Sequence, residues 1–146
     1  MSPPPGSTLR FEQIRVGDEL PPLELDVTAT AIVAGAIASR DYQEVHHDAA
    51  AARRRGSPDI FMNILTTNGY VGRFVTDWAG PEALLKVVDI RLGVPNYPGD
   101  RMRMSGRVAA RLEEGGEGLV DVEVVGANRL GHHVSGRVRL ALPRGG

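Results

Sequence analysis

From residue 84 onward the chain reads as strand after strand joined by short turns, and this restricts it to antiparallel pairing. Parallel neighbours need crossover connections of about a dozen residues or more. Residues 84–92 form the first strand. The connection 94–100 carries Pro95, Pro98 and Gly99 in turn-forming roles. Residues 101–112 follow, then a Gly-rich hairpin loop at 113–118. In the next strand Val120, Val122, Val124 and Gly126 alternate with Asp121, Glu123 and Val125, the two-residue period of a sheet. A tight connection at 130–132 leads to the last strand, 133–142.

The first half supplies helices. Residues 59–78 are the longest helical candidate, with Phe61, Ile64, Leu65, Val71, Phe74, Val75 and Trp78 at helical spacing. Gly69 and Gly72 each weaken it by about 1 kcal/mol and are expected where backbones approach closely. Gly80-Pro81 ends it. One long helix against an antiparallel sheet is an α+β domain. Upstream, 11–20 reads as a lead-in with a turn at Gly17-Asp18. Residues 23–28 alternate as a strand and 30–39 form an Ala-rich helix. Asp48 and Gly56 bracket a short helix at 49–55 as N-cap and C′ residue. Arg53, Arg54 and Arg55 then suit the negative end of that helix. Residues 1–8 are expected to be disordered, leaving a single domain over 9–146.

Bulk properties exclude several classes. The 146 residues suffice for one domain with a real core, and a net charge of −1 gives no electrostatic footprint for nucleic acid. With no Cys there is no disulfide, thiolate nucleophile or Cys-based metal site. The opening residues are too polar and Pro-rich for a signal peptide, and no stretch approaches the roughly 18 apolar residues of a membrane span. A cytoplasmic protein is expected. No phosphate-binding Gly loop follows a strand, so no redox cofactor is implied.

Asp41 and His46 are the candidate catalytic pair. An acid and an imidazole five residues apart can share one water molecule if the chain between them is an irregular turn leaving a helix, since a regular helix splays that spacing. His47 cannot point the same way as its neighbour. His132 and His133 sit at a turn and match no metal-ligand spacing, so no metal is expected. Asn128 fits either a strand end or a pocket wall.

The run Asp41-Tyr42-Gln43-Glu44-Val45-His46-His47-Asp48 resembles the Asp-x-Asn-Pro-x-His-x-Asp pattern of the MaoC-like (R-specific) enoyl-CoA hydratases, with Gln43 and Glu44 departing from Asn and Pro. It is more similar to a divergent branch, the small subunit of the actinobacterial enoyl-CoA hydratase of steroid side-chain degradation. That branch shares Arg-Asp-aromatic-Gln-x-Val-His-His-Asp, and segments matched here by residues 59–65 and 75–81. The likeness spans about residues 23–142.

The resemblance implies a hot-dog fold and the addition of water to an α,β-unsaturated acyl-CoA, with Asp41 and His46 sharing the chemistry. It implies a steroid enoyl-CoA with a three-carbon side chain, and coenzyme A present only as part of the substrate. The family's His-Gly pair at the oxyanion position aligns with Met62 and Asn63, so Asn63 is expected to serve through its backbone N–H, with Gly56 shaping the same pocket. A larger MaoC-like subunit without the acid/imidazole pair is the implied partner, two of each chain forming a heterotetramer. Other readings are a homodimeric R-specific hydratase for fatty chains, or a non-catalytic subunit that binds acyl thioesters.

Overall fold

The computed structural model describes residues 4–145. Its elements are β1 (Leu23–Asp26), α1 (Ala29–Ala38), α2 (Ala49–Arg54), α3 (Ile64–Ala79), β2 (Leu84–Leu92), β3 (Arg101–Glu114), β4 (Glu117–Asn128) and β5 (Gly131–Leu142), with single 3-10 turns at Phe11–Gln13 and Glu44–His46. The strands form one sheet in the order β1-β3-β4-β5-β2, and every neighbouring pair is antiparallel. The β3–β4 hairpin turns on Gly115 and Gly116, whose φ values of 59° and 78° favour glycine. This is the α+β arrangement that the strand pattern implied.

Alternation along the strands builds the core. Met102, Met104 and Val108 of β3, Val120, Val122 and Val124 of β4, and Val134, Val138 and Leu140 of β5 are all buried. They share one apolar cluster with Val71, Phe74, Val75 and Trp78 of α3. Those four recur at helical spacing, so one stripe of α3 faces the sheet.

The long helix is shorter at its start than its apolar spacing suggested. Asn63 has extended φ/ψ, and its side chain accepts from the Thr66 N–H, which makes it the N-cap and starts α3 at Ile64. Ile64 and Leu65 are each 51% exposed, so they lie off the core stripe. Gly69 and Gly72 do not mediate close approach: an added methyl at Gly69 meets nothing and at Gly72 only Leu85 at ordinary contact. That role belongs to Gly35 of α1, where a Cβ would collide with Thr66 of α3. Residues 1–3 of the expected disordered tail lie outside the described residues. Within 4–8, Ser7 bonds back to Pro4, and the Thr8 hydroxyl accepts from the Glu82 N–H.

The end of α1 is closed by its own backbone. Arg40 N–H donates to Ile37 O at 3.0 Å and Asp41 N–H to Ala36 O at 2.9 Å, the paired bonds of a Schellman motif. The motif needs a left-handed residue, and Arg40 supplies it with φ 57°. An L-residue there costs about 1–2 kcal/mol. Arg40→Gly removes that cost but adds chain entropy to the unfolded state. The expected net gain is about 0.5–1 kcal/mol, read as a higher denaturant midpoint at unchanged slope.

Candidate active site

The Schellman motif delivers Asp41 at the point where the chain leaves α1. The chain then bends: Gln43 N–H donates to Asp41 Oδ1 at 3.3 Å, and the 3-10 turn Glu44–His46 comes next. This irregular turn brings the two side chains together. His46 Nε2 and Asp41 Oδ2 stand 3.4 Å apart, with His46 7% and Asp41 18% exposed in their side chains.

His46 Nδ1 lies 2.6 Å from the Phe61 carbonyl. A carbonyl only accepts, so Nδ1 carries the proton and neutral His46 presents a bare Nε2. The ring stands edge-on to Phe61, centroids 5.0 Å apart, which holds its orientation. At 3.4 Å the Nε2–Oδ2 separation exceeds a charge-assisted bond of about 2.7–2.9 Å. Two acceptors therefore face the same point, which is the arrangement that binds a water molecule by both of its hydrogens.

Asn63 ties this pair to α3. Its amide Nδ2 donates to Ser39 Oγ at 2.9 Å and to Asp41 Oδ2 at 3.1 Å. Its Oδ1 accepts from Thr66 N–H at 3.1 Å and from the Thr66 hydroxyl at 2.5 Å. Both amide hydrogens and the oxygen are committed. The hydrogen bond from Asn63 holds the Asp41 carboxyl below its ordinary pKa; burial opposes this, and the Gln43 N–H and the nearby His46 and His47 assist it. The expectation that Asn63 acts through its backbone alone is thus revised. As N-cap it leaves the N–H groups of Ile64 and Leu65 without partners inside the helix, and these are the amides available to an oxyanion.

The other candidates divide. Gly56 does not join the site: it is the exposed left-handed residue after α2, with φ 91°, and lies outside the cavity lining. A helix-ending glycine here is near the site in sequence only, because the chain from 57 to 62 still has to return. Asp48 caps α2 by accepting from Ala51 N–H. Arg53 donates to Pro58 O and Arg55 faces Glu44 at 3.9 Å. His47 Nε2 donates to the Asp41 carbonyl at 2.9 Å, bracing the backbone. Asn128 donates to Pro95 O and Asn96 Oδ1, both at 2.8 Å, backing the loop behind the site.

A cavity of about 340 Å³ opens on the pair, walled by Phe61, Met62 and Ile64 on one side and Leu92, Val94 and Pro95 on the other. His133, the expected first residue of the last strand, lies in β5 and lines this cavity. His132 beside it is exposed. Among the described residues no three His, Asp or Glu side chains gather as metal ligands do.

Asn63→Ala should raise the Asp41 pKa, read by carboxyl carbon NMR titration. The linkage has a definite sign. A lowered folded pKa contributes stability that is complete above the unfolded carboxylate value and is lost as pH falls through the folded one. In the variant that contribution should therefore be smaller at neutral pH, and what remains of it should be lost at a higher pH. It should also lose about 1 kcal/mol of N-cap stabilisation at neutral pH. An unmoved Asp41 titration would contradict the clamp.

No family model matches the chain. It is 51% identical over 127 residues to the beta subunit of 3-oxo-4,17-pregnadiene-20-carboxyl-CoA hydratase from Mycobacterium tuberculosis, covering 87% of this chain and 95% of that one. A chain of the ChsH1-ChsH2 complex from Mycobacterium tuberculosis superposes with TM-score 0.83 and 51% identity, covering 88% of this chain and 98% of that chain. R-hydratase PhaJ1 from Pseudomonas aeruginosa superposes with TM-score 0.84 over 94% of this chain and 88% of its own, and at 18% identity it shows the shared hot-dog fold alone. No helix among the described residues is long and apolar enough to cross a membrane. The sheet, the helix it enfolds and the 51% likeness agree, and the chain belongs to the beta-subunit family of 3-oxo-4,17-pregnadiene-20-carboxyl-CoA hydratase.

Proposed function

We propose that this chain is the catalytic subunit of a cytoplasmic hydratase that adds water to a steroid enoyl-CoA with a three-carbon side chain, during steroid side-chain degradation. The observation that carries the reading is the convergence of Asp41 Oδ2 and His46 Nε2, 3.4 Å apart, at an apolar cavity. Coenzyme A enters only as part of the substrate.

The geometry suggests the sequence of events. Water donates one hydrogen to each acceptor. Its oxygen bonds to the β-carbon while the double-bond electrons move toward the thioester oxygen. His46 takes the water's proton at Nε2. The resulting imidazolium is stabilised at Nδ1 by the Phe61 carbonyl and at Nε2 by the Asp41 carboxylate, which Asn63 keeps ionised. The enolate oxygen is received by the first-turn N–H groups of α3, already aimed and needing no reorganisation. The proton then passes from Nε2 to the α-carbon. Donor and acceptor stand on one side of the substrate, so both additions occur on one face.

A second chain is needed to finish the cavity. Its volume of about 340 Å³ is at the low end of the roughly 300–1,000 Å³ typical of ligand sites, too small for a ring system together with its thioester arm. The two edges of the sheet are the short β1 and the longer β2, and β2 is the edge beside the cavity. Strand β2 exposes Leu84, Leu85, Val87 and Leu92, near the exposed Ile64 and Leu65 of α3. An apolar, unpaired edge invites a partner. Leu92 and Ile64 also line the cavity, so a partner on this face supplies the missing wall. We assign that place to a larger MaoC-like subunit, two of each chain forming the assembly.

The test is hydration by the chain co-expressed with such a subunit, on ring-bearing and linear enoyl-CoA. Asp41→Asn and His46→Gln should each lower turnover by about 10²-fold or more while the complex stays folded. His47→Ala, which removes only a backbone brace, should cost far less. Near wild-type turnover in either of the first two variants would remove that residue from the mechanism. A stable homodimer fully active on the steroid substrate would remove the partner.

A further inference from the structure

His133 is the extra residue of a β-bulge. Pairing between β4 and β5 runs Gly126↔Val134 and then Ala127↔His132, so His133 faces no partner. A bulge interrupts strand alternation and re-aims a side chain. His133 and Val134 are accordingly both buried although adjacent. Val134 joins the apolar core, while His133 lines the cavity that holds Asp41 and His46.

Both ring nitrogens are engaged. Nδ1 donates to the Val94 carbonyl at 2.7 Å, and Nε2 accepts from the Thr67 hydroxyl at 2.8 Å. Val94 belongs to the wall of the cavity. Thr67 lies in the first turns of α3, four residues after Asn63. Burial pushes the His133 pKa below its ordinary value, which keeps the ring neutral with the one donor and one acceptor these contacts use. A buried imidazole is costly unless both nitrogens are satisfied. An aliphatic side chain would fill the space but would not set a distance.

We propose that His133 and Thr67 are specificity-determining positioning residues. The imidazole is a spacer of set length between the 92–95 wall and the start of α3, and it decides which acyl groups reach Asp41 and His46. The inference rests on the hydratase reading above and names what selects the substrate. Asp41 and His46 are held separately, by Asn63 and by the Phe61 carbonyl. The latch therefore acts on the shape of the cavity and leaves the acid–base groups in place.

Thr67→Val removes the hydroxyl at nearly constant volume, and Thr67→Ser retains it. Each is co-expressed with the partner subunit and assayed on one ring-bearing and one linear enoyl-CoA. Thr67→Val should change the ratio of the two kcat/KM values by about tenfold or more, with the pH profile unmoved, and Thr67→Ser should restore the ratio. If Thr67→Val does not fold, Thr67→Ala makes the same comparison. A loss that scales both substrates equally, or an unchanged ratio, overturns the inference alone. A wild-type complex inert toward both substrates overturns the hydratase reading and the inference with it.

Discussion

The contact between the Phe61 carbonyl and His46 Nδ1, 2.6 Å long, decides what the site can do. Because the carbonyl cannot donate, the neutral ring must carry its proton on Nδ1, and the Nε2 lone pair must turn toward Asp41. The reverse tautomer would put an N–H against the carboxylate, closing the site into an ordinary hydrogen bond with no lone pair left there to take a proton from water. The carbonyl is available because residues 59–63 are not helical. A helix over that stretch would have committed it to an intrahelical bond. The Asn63 cap that delays α3 is thus the same residue that holds Asp41, and the helix start and the catalytic geometry are one construction.

The rest of the fold serves this junction. The Schellman turn at Arg40 releases the chain from α1 with Asp41 in place, and Gly35 lets α1 close on α3 at Thr66. The apolar stripe from Val71 to Trp78 fastens α3 to the sheet. Its first turn is then free to present amides at the cavity. The opposite wall comes from the loop after β2, backed by Asn128 and spaced by His133.

Much of this is legible in the sequence, for physical reasons that differ from place to place. Strands β2 to β5 announce themselves because short strand-like runs joined by glycine and proline turns, with clear alternation at 120–126, have few other solutions. Asp41 and His46 are visible because their spacing makes sense only across a turn. Asn63 is harder to read. An N-cap asparagine inside an apolar run looks like one polar residue on a helix, and nothing local says that its amide reaches back to residues 39 and 41. Gly56 misleads because a helix-ending glycine and a pocket glycine have the same signature. His133 is hidden by its bulge, since a one-residue register shift is invisible to a two-residue period. The exposure of Ile64 and Leu65 carries a different lesson: helical spacing reports an apolar face, and it does not say whether that face meets this chain's core or a second chain.

The central claim is that His46 keeps its proton on Nδ1 and offers Nε2 to water beside an ionised Asp41. Long-range nitrogen–proton correlation NMR on the histidine rings, at a pH high enough for His46 to be neutral, reads the tautomer directly. The account predicts a protonated Nδ1 and a bare Nε2 for His46, with the pattern preserved in His47→Ala. A His46 ring protonated on Nε2, with Nδ1 free, would contradict it, because the Phe61 carbonyl would then not be its partner and no lone pair would face the water.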